Sequence, residues 1–138
     1  MITFSVERIQ LGYEGEPYTY VLSVSAVTVT PRTRTVRFPA RVEGMLITHV
    51  GYKQTYVPAH EELRDPRRPS EGLVCVGGEY TVAMRPLGLP KTVKKIYIPA
   101  SVTDIAPYAF DGIGPDTVFE VAKSNPRYTA RDGKLCYK

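Results

Sequence analysis

The stretch VKKIYIPASVTDIAPYAF, residues 93–110, decides the architecture. Ile96 and Ile98 alternate about Tyr97, the spacing of a short strand with one apolar face. Pro99 then ends the strand, because it has no N–H to give to a ladder. Val102, Ile105, Ala109 and Phe110 follow along a short apolar coil. Strand, stop and apolar coil together describe a chain that adds one strand to a sheet and returns through the core.

The layout recurs. VFEVAKS, residues 118–124, sets Phe119 on Ile96 and Val121 on Ile98, an offset of 119 − 96 = 23 residues. TVRFPARV, residues 35–42, sets Pro39 on Pro99, and Val50 answers to Ile105 once the five extra residues 43–47 are set aside. A period in the twenties built from a short strand and a coil marks a leucine-rich-repeat solenoid, where each unit gives one strand to a parallel sheet. The expected fold is therefore mainly β, a short solenoid of parallel strands with very little helix. One domain is expected over residues 1–138. It divides into an antiparallel N-terminal β cap (1–34), a first repeat-like unit (35–51), an insertion with loop and hairpin (52–92), and repeat units with a terminal hairpin (93–138). The cap is expected because about two and a half units are too few to protect both ends of a solenoid.

At these residues the chain resembles the BspA-type leucine-rich-repeat family, whose units read I-x-I-P-x-S-V-T-x-I-x-x-x-A-F. IYIPASVTDIAPYAF follows that pattern through its length, and VAKSNPRYTARDGKLCYK is similar to the family's ending: a strand, an Asn-Pro-x-Tyr turn and an Asp-Gly hairpin. VRFPARVEGMLITHVG resembles a first unit with a turn at Gly44. The resemblance covers residues 35–51 and 93–138, under half of the chain. Val93 stands where the family usually carries leucine, and Asp116 takes that place in the last unit. Ile113 stands where a cysteine or similar residue usually follows A-F-x-G. The resemblance implies a non-enzymatic interaction module, binding a protein partner or serving adhesion at a bacterial cell surface.

Composition agrees with a small β domain. Of 138 residues 43% are apolar, enough for a modest core, and twelve prolines with eleven glycines suit short strands and turns. The net charge of +4 is scattered, with clusters at Arg32, Arg34, Arg37 and Arg41 and at Lys91, Lys94 and Lys95. A nucleic-acid surface gathers such clusters on one face with exposed aromatics. Here they read as solvated loop and edge charges, so no nucleic-acid partner is expected. Cys75 and Cys136 lack metal-ligand spacing; they read as free thiols, with one disulfide as the alternative. No apolar run spans a membrane, and MITFSVERIQ alternates where a signal peptide would not. No membrane insertion is expected. The location is left open: the cell surface or the outside of the cell is expected if an export signal was removed, and the cytoplasm otherwise.

Along the chain, Ile2, Phe4 and Val6 alternate as a half-buried strand, YTYVLSVSAVTVT continues as one or two strands, and Val36 and Phe38 point inward about Arg37. Periodicity disappears over residues 52–72, which read as a surface excursion. LVCV and EYTVAMR predict a hairpin across Gly77–Gly78, and Asp132–Gly133 predicts another.

Residues for chemistry are few. His49 in ITHVG reads as a surface residue at a strand end, and no serine or cysteine sits in a nucleophile elbow. Glu61, Glu62 and Asp65 interleave with Arg64, Arg67 and Arg68, a self-neutralising loop rather than a metal site. VGGE and DGIG lack a phosphate-loop pattern. No catalytic residue, metal or cofactor is expected. Ten tyrosines with no tryptophan, among them Tyr13, Tyr18, Tyr20, Tyr52 and Tyr56, leave a small carbohydrate-binding β-module as the alternative function. The candidate binding residues follow from alternation. With Ile96 and Ile98 inward, Lys95 and Tyr97 point out, and the 23-residue offset sets Glu120 beside Tyr97.

Overall fold

A computed structural model describes residues 2–11, 19–57 and 79–138, which form twelve strands and no helix. In chain order they are β1 (Ile2–Leu11), β2 (Thr19–Val29), β3 (Thr35–Arg37), β4 (Arg41–Val42), β5 (Met45–Val50), β6 (Tyr52–Val57), β7 (Glu79–Met84), β8 (Lys95–Ile98), β9 (Asp104–Ile105), β10 (Val118–Val121), β11 (Tyr128–Arg131) and β12 (Lys134–Tyr137).

The recurring motif becomes a three-stranded parallel sheet. β8 lies between β3 and β10, with Ile96 opposite Val36 on one side and Phe119 on the other, and Ile98 opposite Val121. The offset of 23 residues is thus a strand register. After Pro99 the chain turns back through Val102 to β9, which pairs in parallel with β5 and sets Ile105 opposite Val50. On the other side of β5 runs β2, also parallel, and β1 closes that sheet in antiparallel pairing. The sheets are small and mixed in direction, so the architecture shown is mainly β.

Val36, Val93, Ile96, Ile98 and Val102 are fully buried and join Leu22, Val24, Ile47, Val50, Leu87 and Leu89 in one core. Ile105, Phe110, Phe119 and Val121 pack against this core half-buried. A line of aromatic rings ties the elements together. Phe38 meets Phe4 at 5.5 Å and Phe110 at 6.1 Å between centroids, and Phe110 meets Phe119 at 5.0 Å, in tilted and edge-on geometries that favour aromatic pairs.

The N-terminal strands alternate and pair antiparallel, as expected of that region, but a bulge at Ser25 breaks the alternation. Leu22 and Val24 face the core before it and Val27 after it, because the extra residue resets the period of two. On the opposite face Ile9 is fully buried, and β6 lies across it. The Tyr52 N–H donates to Ser23 Oγ, the Gln54 N–H to Glu7 Oε2, and the Gln10 N–H to Gln54 Oε1. This corrects the surface excursion expected from residue 52 over residues 52–57; residues 58–78 lie outside the described residues. Residues 52–57 form β6, whose partner is β7. Gly77 and Gly78 lie outside the described residues, as do Tyr13, Tyr18, His60 and the charged loop from Glu61 to Arg68.

Two turns demand left-handed backbone at both central residues, the type I′ requirement. Glu43 and Gly44 (φ 51° and 81°) join β4 to β5, and Asp132 and Gly133 (φ 52° and 77°) join β11 to β12. The second is the predicted Asp-Gly hairpin. Its Gly133 carbonyl accepts the Phe119 N–H at 2.7 Å, so the terminal hairpin covers the outer edge of β10. Among the described residues Cys136 carries a free thiol; Cys75 lies outside them.

Candidate functional site

Side chains on the outward face of the parallel sheet fall into two rows. The register aligns Thr35, Lys95 and Val118 in one and Arg37, Tyr97 and Glu120 in the next. Lys95, Tyr97 and Glu120 are thus brought together as expected. Arg37 joins them because β3 stacks in line, despite the five extra residues that follow it.

The rows are linked by charge. Lys95 Nζ lies 2.6 Å from Glu120 Oε2, and the Arg37 guanidinium stacks over the Tyr97 ring at 4.3 Å from its centroid. The hydrogen bond from Lys95 holds the Glu120 carboxyl below its ordinary value, the charge of Lys95 adds to this, and Arg37 contributes further. Both partners of the ion pair are about half exposed, so the pair contributes little stability. In register, Tyr97 lies between Arg37 on one neighbouring strand, which stacks on its ring, and Glu120 on the other.

Beside the sheet, Asp116 explains its departure from a leucine. Its carboxylate accepts a hydrogen bond from Lys94 at 2.7 Å, which lowers its pKa, while the inward place goes to buried Thr117. The Thr117 hydroxyl donates to the Val93 carbonyl at 2.7 Å, so the polar substitution is satisfied.

A second polar group surrounds His49. The side chain is only 14% exposed, which corrects its reading as a surface residue. Its Nε2 lies 3.5 Å from Asp104 Oδ2, its Nδ1 shares a 2.7 Å hydrogen bond with Thr48, and its ring meets Tyr52 edge-on. Burial lowers the His49 pKa, and Asp104 opposes this only in part. Asp104 also accepts from Arg127 at 3.0 Å and from Thr103 at 2.8 Å. The imidazole is thus neutral near pH 7, and the cluster joins β5, β9 and the approach to β11. No sequence motif marks it, because Asp104 meets His49 only through the parallel β5–β9 register and Arg127 joins through Asp104. Among the described residues no group of three or more His, Cys, Asp or Glu is placed to hold a metal ion.

A groove of about 270 Å³ opens between the coil after β9 and the terminal hairpin, lined in part by Phe110, Tyr128, Leu135 and Tyr137 with Asp111 and Cys136. Of the tyrosines singled out in the sequence, Tyr20 is exposed beneath Arg8 (5.2 Å) and Tyr52 is half-buried against His49.

No protein-family profile, curated protein or solved structure matches the chain.

Proposed function

We propose that the chain is a non-enzymatic interaction module of the leucine-rich-repeat kind, a short solenoid that binds a protein partner or serves adhesion at a bacterial cell surface. The observation that carries this reading is the in-register row of Arg37, Tyr97 and Glu120 on the outward face of β3, β8 and β10. A held aromatic flanked by opposite charges has the composition of a protein contact, where Tyr and Arg anchor and charges set register. The match of residues 96–110 to the BspA-type pattern supports the same reading. Lys95, Tyr97 and Glu120 are the binding residues proposed from the sequence, and Arg37 completes the row.

The alternative, a small carbohydrate-binding module, has the groove beside Phe110, Tyr128 and Tyr137 in its favour, since aromatic walls with one carboxylate suit a sugar. Parallel screens of the purified chain against protein and glycan panels separate the two. Protein hits that weaken with Tyr97→Ala are expected. Glycan hits alone, weakened by Tyr137→Ala, reverse the order.

A further inference from the structure

We propose that the free edge of β3 takes up an extended acidic segment of a partner protein by strand addition; this rests on the reading of the chain as a protein-interaction module. The two edges of the parallel sheet differ. That of β10 is covered, because the Phe119 N–H is bonded to the Gly133 carbonyl. That of β3 is open. Arg34 O accepts from Lys94 N and Lys95 N, and Phe38 N donates to Tyr97 O, so Arg34, Val36 and Phe38 direct their backbone groups at β8. Backbone groups alternate along a strand, so the N–H and C=O of Thr35 and Arg37 face the other way. Among the described residues no strand or side chain bonds them there, and both residues are exposed. An exposed row of main-chain donors and acceptors is a template for one more strand.

Charge selects the occupant. Arg32, Arg34, Arg37 and Arg41 lie in or beside β3 and are all exposed, and among the described residues none has a carboxylate within ion-pair distance. A second copy meeting this edge would set arginine against arginine, which costs free energy. An acidic strand would continue the row Glu120–Tyr97–Arg37 with a carboxylate beside Arg37. The backbone bonds supply a sequence-independent part of the affinity, and the arginines the preference for acid.

The test titrates the full chain with a short capped peptide alternating glutamate and valine, followed by fluorescence anisotropy and by amide exchange in NMR. Binding that weakens with salt and slows exchange of the Thr35 and Arg37 amides is expected. Thr35→Pro removes an outward N–H where an open edge tolerates proline, and Arg37→Glu reverses the charge. Each should lower affinity by at least about tenfold while the melting temperature stays within a few degrees. If Thr35→Pro disturbs folding, the same peptide N-methylated at alternate residues replaces it and should not bind the wild-type chain. Absence of binding up to about 1 mM peptide overturns the proposal. So does binding untouched by Thr35→Pro or by N-methylation, or tighter binding of a single-stranded oligonucleotide than of the peptide. Loss on Tyr97→Ala without loss on Thr35→Pro would sink strand addition and leave the outward face standing. The converse would keep strand addition and remove Tyr97 from the contact.

Discussion

Asn125 is bonded back to Pro99 at the end of β8: its Nδ2 donates to the Pro99 carbonyl at 2.9 Å and to that of Val102 at 2.8 Å. The same side chain accepts the Arg127 and Tyr128 N–H groups at its Oδ1, and it is fully buried. One amide therefore satisfies the chain leaving β8 and the turn leading into β11. Only Asn does this at that length, since it offers two donors and an acceptor. Asn125→Ala leaves the Val102 carbonyl and two N–H groups short of partners, leaves the Pro99 carbonyl with only the Val102 N–H, and should destabilise the chain by about 3 kcal/mol. Asn125→Asp, which cannot donate, should not restore stability. Urea denaturation monitored by circular dichroism measures both.

Gly51 follows β5 at a positive φ of 88°, and a Cβ there would lie 2.8 Å from Ala109 Cβ and 2.9 Å from Ala106 Cβ. Its N–H and C=O are both used, bonding Val24 and Arg85. Gly51→Ala thus meets backbone strain and overpacking at once, and a loss of about 2–4 kcal/mol is expected. Thermal unfolding of the variant beside wild type provides the check, and an unchanged melting temperature would contradict the packing described.

The aromatic line predicts an order of effects. Phe38 is almost wholly buried among rings from β1 and the coil after β9, so Phe38→Ala should cost about 3–5 kcal/mol. Phe110 is half-buried between Phe38 and Phe119, and Phe110→Ala should cost less, by about 1 kcal/mol or more. Equal losses would show that the two rings do not differ in burial.

Legibility tracked how local each feature is. Ile96 with Ile98, and Phe119 with Val121, repeat in spacing, so their parallel register could be read off the chain; so could the pairing of Val50 with Ile105 and the Asp132–Gly133 turn. The outward row followed, because alternation leaves Lys95, Tyr97 and Glu120 no other face. β6 was not legible. YKQTYV has no apolar alternation, and it is a strand because β7 pairs with it and its backbone and Gln54 bond to Ser23, Glu7 and Gln10. The Ser25 bulge and the His49–Asp104–Arg127 group escaped for the same reason: each exists only through pairing with a distant segment.

His49 predicts a pH dependence. Burial lowers its pKa from the ordinary 6.5, so the unfolded chain binds a proton that the folded chain resists. Its contribution to stability is full above 6.5 and is lost as pH falls through the folded value. Asp104, Thr48 and Tyr52 face the ring, and Arg127 reaches it only through its ion pair with Asp104. Glu120, also lowered, contributes above 4.5 and loses its part as pH falls through its own folded value, a lower window. The His49 imidazole proton followed by NMR should titrate below 6.5, and the fall in stability just under that pH should flatten in His49→Gln.

The most direct test of the account is calorimetric titration of a protein partner from the panel screen against wild type, Tyr97→Ala and Tyr20→Ala. Tyr97 lies between Arg37 and Glu120 on the outward face, while Tyr20 is exposed on β2. Tyr97→Ala should weaken binding by at least about 1 kcal/mol, roughly fivefold in Kd, with little change in melting temperature, and Tyr20→Ala should leave it unchanged. Loss of binding on Tyr20→Ala with Tyr97→Ala silent would contradict the account, placing recognition on the N-terminal strands.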